Sequence, residues 1–544
     1  MGNAERRAER ATSLIRLMRR TSDEGEEYSA AMSSPSEPDA ADTAPGDSNT
    51  AQPTVCDFPP SLHPTPPADL YEEQRARYAW TKKRTTNAAW ISDIKATLRP
   101  YVDEIGIAYE DLSIRHFRNG GTHVLYTVRD ASAAPEAPEF VFRITNSTFP
   151  WYKTESEVAV MELVSKHTTI PIPRVYAYDS SSENPIHNEW MLLSKVRGDS
   201  YARLADTLSL PQKLAVARTL ADWRHQLSLL RFPNIGAIYR SPPTTTGNPR
   251  SLSAYHTGPT IDHAWTSSWR SSYAPSLLLP RGPFPTPHAL LSAYIAHAQH
   301  ELQHDARQRA HTHLGSLRAR LRAVANVALL AALPFASPRA PLAPQRAQLR
   351  LSLAAQIARA HARHGAAADV VDWSAAAKYP TRAAYADGLE DCAALRRVVD
   401  EVCGGDESAA ATVVDHHDVT AHNVLVGGAD GAAPVGLVDW ENVHAVPPAL
   451  VEAVPPLVVA EADAAVAEQM RRAYDARLEE LGSALLDAGL SATGWDLREV
   501  WELVVAAGEV DEEHRVGVQE MLWALEEEGT RGRALMCERE DVRG

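Results

Sequence analysis

The chain runs to 544 residues, enough for two or three domain-sized units with buried cores. Asp and Glu number 70 against 54 Lys and Arg, and the net charge of −16 excludes a generic ligand for nucleic acid or an anionic membrane. The four cysteines have no metal-ligand spacing, which excludes a disulfide scaffold or a zinc module.

The most apolar run, Ala323 to Ala336, is broken by Asn326 and Pro334 and falls short of the roughly 20 residues a bilayer span needs. A cytoplasmic protein with no membrane span is the expectation. The first twenty residues carry six arginines beside Leu14, Ile15, Leu17 and Met18, and read as a frayed basic tail or a short amphipathic helix. Glu5 and Glu9 count against a transit peptide, and Arg6 stands where a myristoylation signal has Ser or Thr. The stretch 1–69 is expected to be a disordered tail, because its Ser, Asp, Glu, Ala and Pro cannot offset the entropy of ordering. Its removal is expected to leave the rest intact.

Structure is predicted from about Leu70. A helical pattern covers Tyr71 to Leu98, with Trp80 and Trp90 as packing residues. Strand-like runs follow at Leu112–Phe117, His123–Arg129 and Phe140–Thr145, the first two joined by an Arg118-Asn119-Gly120-Gly121 turn. Thr154–His167 reads as a helix, stopped by Ile170-Pro171-Ile172-Pro173. Two further strands, Arg174–Tyr178 and Trp190–Lys195, complete a small α+β unit over 70–198. Residues 199–544 read as mostly helical, with Pro211 at a helix start and Leu214, Ala217, Leu220, Trp223, Leu227 and Leu230 at spacings of three and four. Within them, about 258–364 is an Ala/Arg-rich, low-complexity insert, whose Leu314–Ala332 portion reads as an amphipathic helix or a solvated face.

Chemistry concentrates between Val413 and Glu441. Two short apolar runs flank a Gly/Ala/Asp turn, which is a hairpin signal. A turn centred on Gly431 sets Asn423 opposite Asp439, beside Asp418 on the preceding loop. Oxygen ligands at such a point suit Mg²⁺, which keeps positions for phosphate and water. Zinc on His416, His417 and His422 is the weaker reading, since adjacent imidazoles rarely converge on one ion and no cysteine is near. Trp440 reads as core packing.

His416-His417-Asp418 through Asn423, then Asp439-Trp440-Glu441, resembles the protein kinase superfamily motif H-x-D-x-x-x-x-N followed by a metal-binding Asp. The Asp-Trp-Glu and the short gap are similar to the aminoglycoside phosphotransferase (phosphotransferase enzyme) family. Many of its members have Gly where this chain has His417, and His where it has Thr420. The resemblance covers about 112–198 and 412–448. It implies an α+β, protein-kinase-like fold of two lobes, a five-stranded N-lobe with one helix and a larger, mostly helical C-lobe. It also implies ATP and Mg²⁺, with Asp418 as general base, His416 fixing the loop, and Asn423 and Asp439 on the metal. Carried over by motif, Asn119, Gly120 and Gly121 form the turn over the phosphates. Arg143 replaces the family's phosphate-contacting lysine, and Glu157 pairs with it; Glu155, the rival, is expected to face solvent. Ser194 to Val196 form the hinge for the adenine edge, and Val141 and Leu425 sandwich the ring.

No long segment ending in Ala-Pro-Glu follows Asp439, so the implied acceptor is a small hydroxylated molecule, not a peptide. The acidic stretch after Pro448 suggests, more narrowly, an amino-bearing acceptor. The alternative is a catalytically weak or inactive relative that binds nucleotide or a partner.

Overall fold

The computed structural model describes residues 58–68, 87–120, 123–134, 136–145, 149–242, 251–261, 279–300, 382–403, 412–427, 433–486 and 497–505. Trp80, Gly121, the Leu314–Ala332 segment and residues 1–57 lie outside that set.

β1 (Leu112–Asn119), β2 (His123–Asp130), β3 (Phe140–Thr145), β4 (Val175–Asp179) and β5 (Glu189–Ser194) form one antiparallel sheet, in the order β1-β2-β3-β5-β4. Alternation sends Tyr126, Val128, Phe142, Trp190 and Leu192 to one buried layer. Phe142 stacks on Trp190 at 5.1 Å. α1 (Asn87–Leu98) packs into the same core through Trp90, Ile94 and Leu98. The long helix after β3, α2 (Tyr152–His167), has an unusual make-up: Lys153, Thr154, Glu155, Ser156 and Glu157 are all buried. Charges at such positions require partners, and each carboxylate here has one. Glu155 therefore does not face solvent; it accepts hydrogen bonds from Ser61 (2.6 Å), Ser180 (2.7 Å) and Tyr178 (3.1 Å).

The chain leaves the sheet through β6 (Asp199–Ser200), which pairs antiparallel with β10 (Val424–Gly427). Gly198 sits at φ 146°, where a Cβ would lie 2.7 Å from Val435 Cγ2 and 2.9 Å from the Val426 carbonyl oxygen. α3 (Leu210–Ser228) starts with a Ser209/Gln212 capping box and buries Val216, Ala217, Leu220, Trp223 and Leu227. A second sheet runs β8-β7-β12-β9, from β7 (Gly236–Arg240), β8 (Tyr255–Gly258), β9 (Val413–Asp415) and β12 (His444–Val446). β10 and β11 (Ala433–Leu437) form the hairpin. α4 (Arg382–Val402), α5 (Ala464–Glu480) and α6 (Leu497–Val505) complete the labelled helices.

Two expectations change. The Ala/Arg-rich insert is not uniformly low-complexity surface: Leu290, Leu291, Tyr294 and Ile295 share a core with Val398 and Trp501. The expected disordered tail also extends too far, because residues 58–68 dock. Phe58 packs against the main core. The Pro59 carbonyl accepts from Arg240 (3.0 Å), and the His63 carbonyl accepts from Trp151 Nε1 (2.6 Å). His63 Nε2 lies 3.1 Å from Asp179. A chain starting at residue 69 is accordingly expected to be less stable than one starting at residue 58 by roughly 2–4 kcal/mol, at about 0.5–1.5 per net hydrogen bond lost. Chemical denaturation of the two truncations measures it, and equal stabilities would show the docking to be incidental.

Candidate active site

β9 delivers the chain into the loop, and β12 and the hairpin close round it. His416 is buried, with its ring edge-on to Trp440 at 4.7 Å, and burial lowers its pKa to about 4. His417 takes φ 59°, the left-handed region that explains why glycine suits this position in similar loops. Its Nδ1 lies 3.2 Å from Asp415 Oδ2, a contact that holds the strained turn. Asp418 is half-buried, its N–H donating to the His416 carbonyl at 2.8 Å. Asn423 turns its amide NH₂ to Asp418, at 2.6 Å from Oδ2 and 3.0 Å from the backbone oxygen. The amide oxygen of Asn423 then points its acceptor capacity elsewhere.

The hairpin register differs from the expected one. Val424 pairs with Leu437 and Leu425 with Gly436, and a bulge shifts Val426 onto Pro434. Asn423 therefore opposes Val438, whose N–H donates to the Asn423 carbonyl at 3.0 Å, and not Asp439. Asp439 follows at φ 69°. The residue is half-exposed, yet its Oδ1 is sealed from solvent without a hydrogen-bond partner. Burial, then Glu441 and Glu157, push its pKa up to about 7, against the pull of Arg143. A sealed carboxylate oxygen with this much negative charge around it suits a cation.

The folded pKa of Asp439 lies above its unfolded value of 3.8, so it contributes stability that is full at low pH and lost as pH rises toward about 7. His416 and His123, both lowered to about 4 by burial, run in the opposite sense between about 4 and their usual 6.5. The whole-chain pH curve mixes these, but a variant isolates one. Asp439→Asn is expected to stabilise the ligand-free chain above pH 7 by roughly 1–3 kcal/mol, and by little near pH 4. Melting curves at pH 5 and pH 8 measure it; a variant less stable than wild type at pH 8 would contradict it.

Arg143 and Glu157 form a buried bidentate pair: Nη1 to Oε1 at 2.7 Å, Nη2 to Oε2, with Nη2 also against Met191 Sδ. Asn119 accepts from His116 at 2.8 Å, and Gly120 N–H donates to the His123 carbonyl at 2.8 Å. Ser194 N–H goes to the Arg174 carbonyl (2.8 Å), and its hydroxyl accepts from Arg174 N–H. The backbone N–H donors of Gly120 and Ser194 are thus occupied. Val196 meets the hairpin, with Cγ1 2.8 Å from where a Cβ on Gly436 would stand. On β10, Val424 and Val426 enter the core while half-buried Leu425 takes the other face; Val141 is also half-buried.

Sequence reasoning missed three residues. Glu441 Oε2 lies 2.7 Å from Lys153 Nζ and pairs with His123 Nε2. Burial opposes its ionisation, but His123, Lys153 and Arg143 together hold its carboxyl well below the usual range. Glu441 was legible within Asp-Trp-Glu; His123 and Lys153 carried no signal beyond being basic residues beside the glycine turn and the helix start. His123, Asp439 and Glu441 are also the group, among the described residues, whose ligand atoms lie within 4.8 Å of one another. His416, His417 and His422 form no such group.

No model of a protein family matches the chain. A subtelomeric hrmA-associated cluster protein of Aspergillus fumigatus is 31% identical over 90 residues, 16% of this chain and 18% of that protein. The chain thus matches less than a fifth of that relative's length. Among solved structures, aminoglycoside phosphotransferases and other small-molecule kinases are what the chain resembles. A choline kinase from Cryptosporidium parvum is 11% identical, with 81% of this chain and 97% of that one covered and a TM-score of 0.36. A putative aminoglycoside phosphotransferase from Ralstonia eutropha is 12% identical, with 80% and 98% covered and a TM-score of 0.35. No helix among the described residues is long and apolar enough to cross a membrane.

Proposed function

We propose that the chain is a two-lobed, Mg²⁺-dependent phosphotransferase that moves the γ-phosphoryl group of ATP to a hydroxyl of a small molecule. The observation that carries this is that Asn423 bonds Asp418 by its side chain and accepts from Val438 N–H by its carbonyl, next to Asp439, whose Oδ1 is sealed and unpartnered. Asp418 Oδ2 accepts from Asn423 Nδ2, which fixes the orientation of the carboxylate that takes the acceptor's proton. Asn423 and Asp439 hold the metal, and the Arg143–Glu157 pair sets a fixed cation beside it. Bound Mg²⁺ supplies charge neutralisation for the phosphoryl group in transfer. Val141 and Leu425 line the adenine slot; Val196 serves the adenine edge, since the Ser194 backbone N–H is occupied. The rest is positioning and preorganised electrostatics.

A small acceptor is favoured because the segment after Glu441 re-enters the sheet at once as β12, between β7 and β9. No platform for a peptide intervenes. The proposal sets no charge on the acceptor: Glu452 pairs with Arg498, Glu461 with Lys213, and Glu468 with Arg471 and Arg472, so these acidic groups are engaged within the protein. The test is a Mg²⁺-dependent thermal shift with ATP and slow ATP hydrolysis without acceptor, then labelled ATP against metabolite and peptide libraries. Robust peptide phosphorylation with no small acceptor would overturn the substrate class. A thermal shift without turnover on any library would indicate an inactive nucleotide binder.

A further inference from the structure

Glu441 touches parts of the chain that no single element joins. His123 opens β2 directly after the glycine turn, and its carbonyl accepts the Gly120 N–H. Lys153 lies in the first turn of α2, the helix that carries Glu157. Glu441 follows the Asp439 turn, 318 positions along the chain from His123. The side chains of His123, Lys153 and Glu441 are 10%, 4% and 9% exposed. Burying an ammonium and a carboxylate in place of apolar groups adds little net stability, whereas parting them leaves an uncompensated buried charge. Such a group therefore disfavours separation of the elements it joins more than it favours folding.

We propose that Glu441 is a positioning residue that ties the phosphate-covering turn and α2 to the metal-binding turn, so that the nucleotide cleft is assembled before nucleotide arrives. The tie rests on the nucleotide reading above for its purpose, but not for its existence. Glu441 reaches the small lobe twice, through β2 and through α2, and it sits on the same short turn as Asp439. Loss of either small-lobe contact frees one of the two elements. Loss of Glu441 frees both, and leaves Lys153 buried without its carboxylate.

The test uses the full chain with Glu441→Gln and Glu441→Gln/Lys153→Met. Without ligand, amide hydrogen exchange over 123–128 and 152–157 is expected to quicken by about tenfold in Glu441→Gln, as a local opening becomes easier. The double variant removes the stranded ammonium and is expected to regain most of the lost melting temperature. Its apparent KM for Mg²⁺-ATP is expected to stay raised by about tenfold, because the tie is still missing. Recovery of KM together with melting temperature would reduce Glu441 to a structural pair and overturn the proposal. Unchanged exchange in both segments would overturn it too. A wild-type chain that shows no response to Mg²⁺-ATP would defeat the functional reading alone, since the ligand-free exchange decides the tie separately.

Discussion

Asp418→Asn is expected to lower turnover by about 10²–10⁴-fold, the usual contribution of a general base, while leaving Mg²⁺-ATP binding and melting temperature near wild type. The substitution is nearly isosteric, and an amide oxygen at the same place still accepts from Asn423 Nδ2, now 2.6 Å from Asp418 Oδ2. The loop keeps its other supports: the Asp418 N–H bond to His416, the His416–Trp440 contact, and the Asp415–His417 contact across the left-handed turn. Only the basic oxygen is lost. Slow ATP hydrolysis gives a readout before an acceptor is identified, and calorimetric titration of nucleotide gives the binding control. Full turnover in Asp418→Asn would remove Asp418 from the mechanism.

Local pattern made the sheet legible. Phe140–Thr145 is a strand with the expected bounds, because its apolar alternation has no competing turn residue. Asp418, Asn423 and Asp439 were legible because they lie close in sequence around one hairpin. Beside the turn the hairpin pairs two residues off the expected register, Val426 with Pro434 and Gly427 with Ala433. The bulge next to Pro434, which has no N–H to donate, brings the open end back to one residue off. Composition alone misjudged residues 58–68, since their docking uses backbone carbonyls of Pro59 and His63 and the Ser61 hydroxyl, none of which forms an apolar period. Glu155 was misjudged for a related reason. A carboxylate on a helix usually faces water, and its three partners come from the docked segment and from β4 and the residue after it. The His123–Lys153–Glu441 group is illegible in principle from one sequence, as it is created by the meeting of distant elements.

Arg143→Ala is expected to have the largest effect on stability. The side chains of Arg143 and Glu157 are only 7% and 3% exposed, and removing one partner of such a pair costs about 3–5 kcal/mol. The cost has a second part here, because Glu157 would be left among carboxylates. Glu157 and Glu441 already raise the Asp439 pKa, and Arg143 is the cation that opposes them. Without it, Asp439 holds its proton more strongly, and that proton competes with the metal for the same oxygen. The apparent KM for Mg²⁺-ATP is therefore expected to rise by at least about tenfold, and more steeply at pH 6 than at pH 8. Arg143→Lys keeps the charge but forms one bond where the guanidinium forms two, so both effects should be intermediate. Arg143→Ala/Glu157→Gln separates the two parts. Neutralising Glu157 should return much of the stability. It also removes a carboxylate that raises the Asp439 pKa, so the excess KM should shrink at pH 6. Whatever remains at pH 8 measures the cation's own contribution to nucleotide binding. Melting temperature and KM measured across these variants at both pH values test the argument. Unchanged KM in Arg143→Ala, whatever its stability, would show that the cation serves the fold and not the nucleotide.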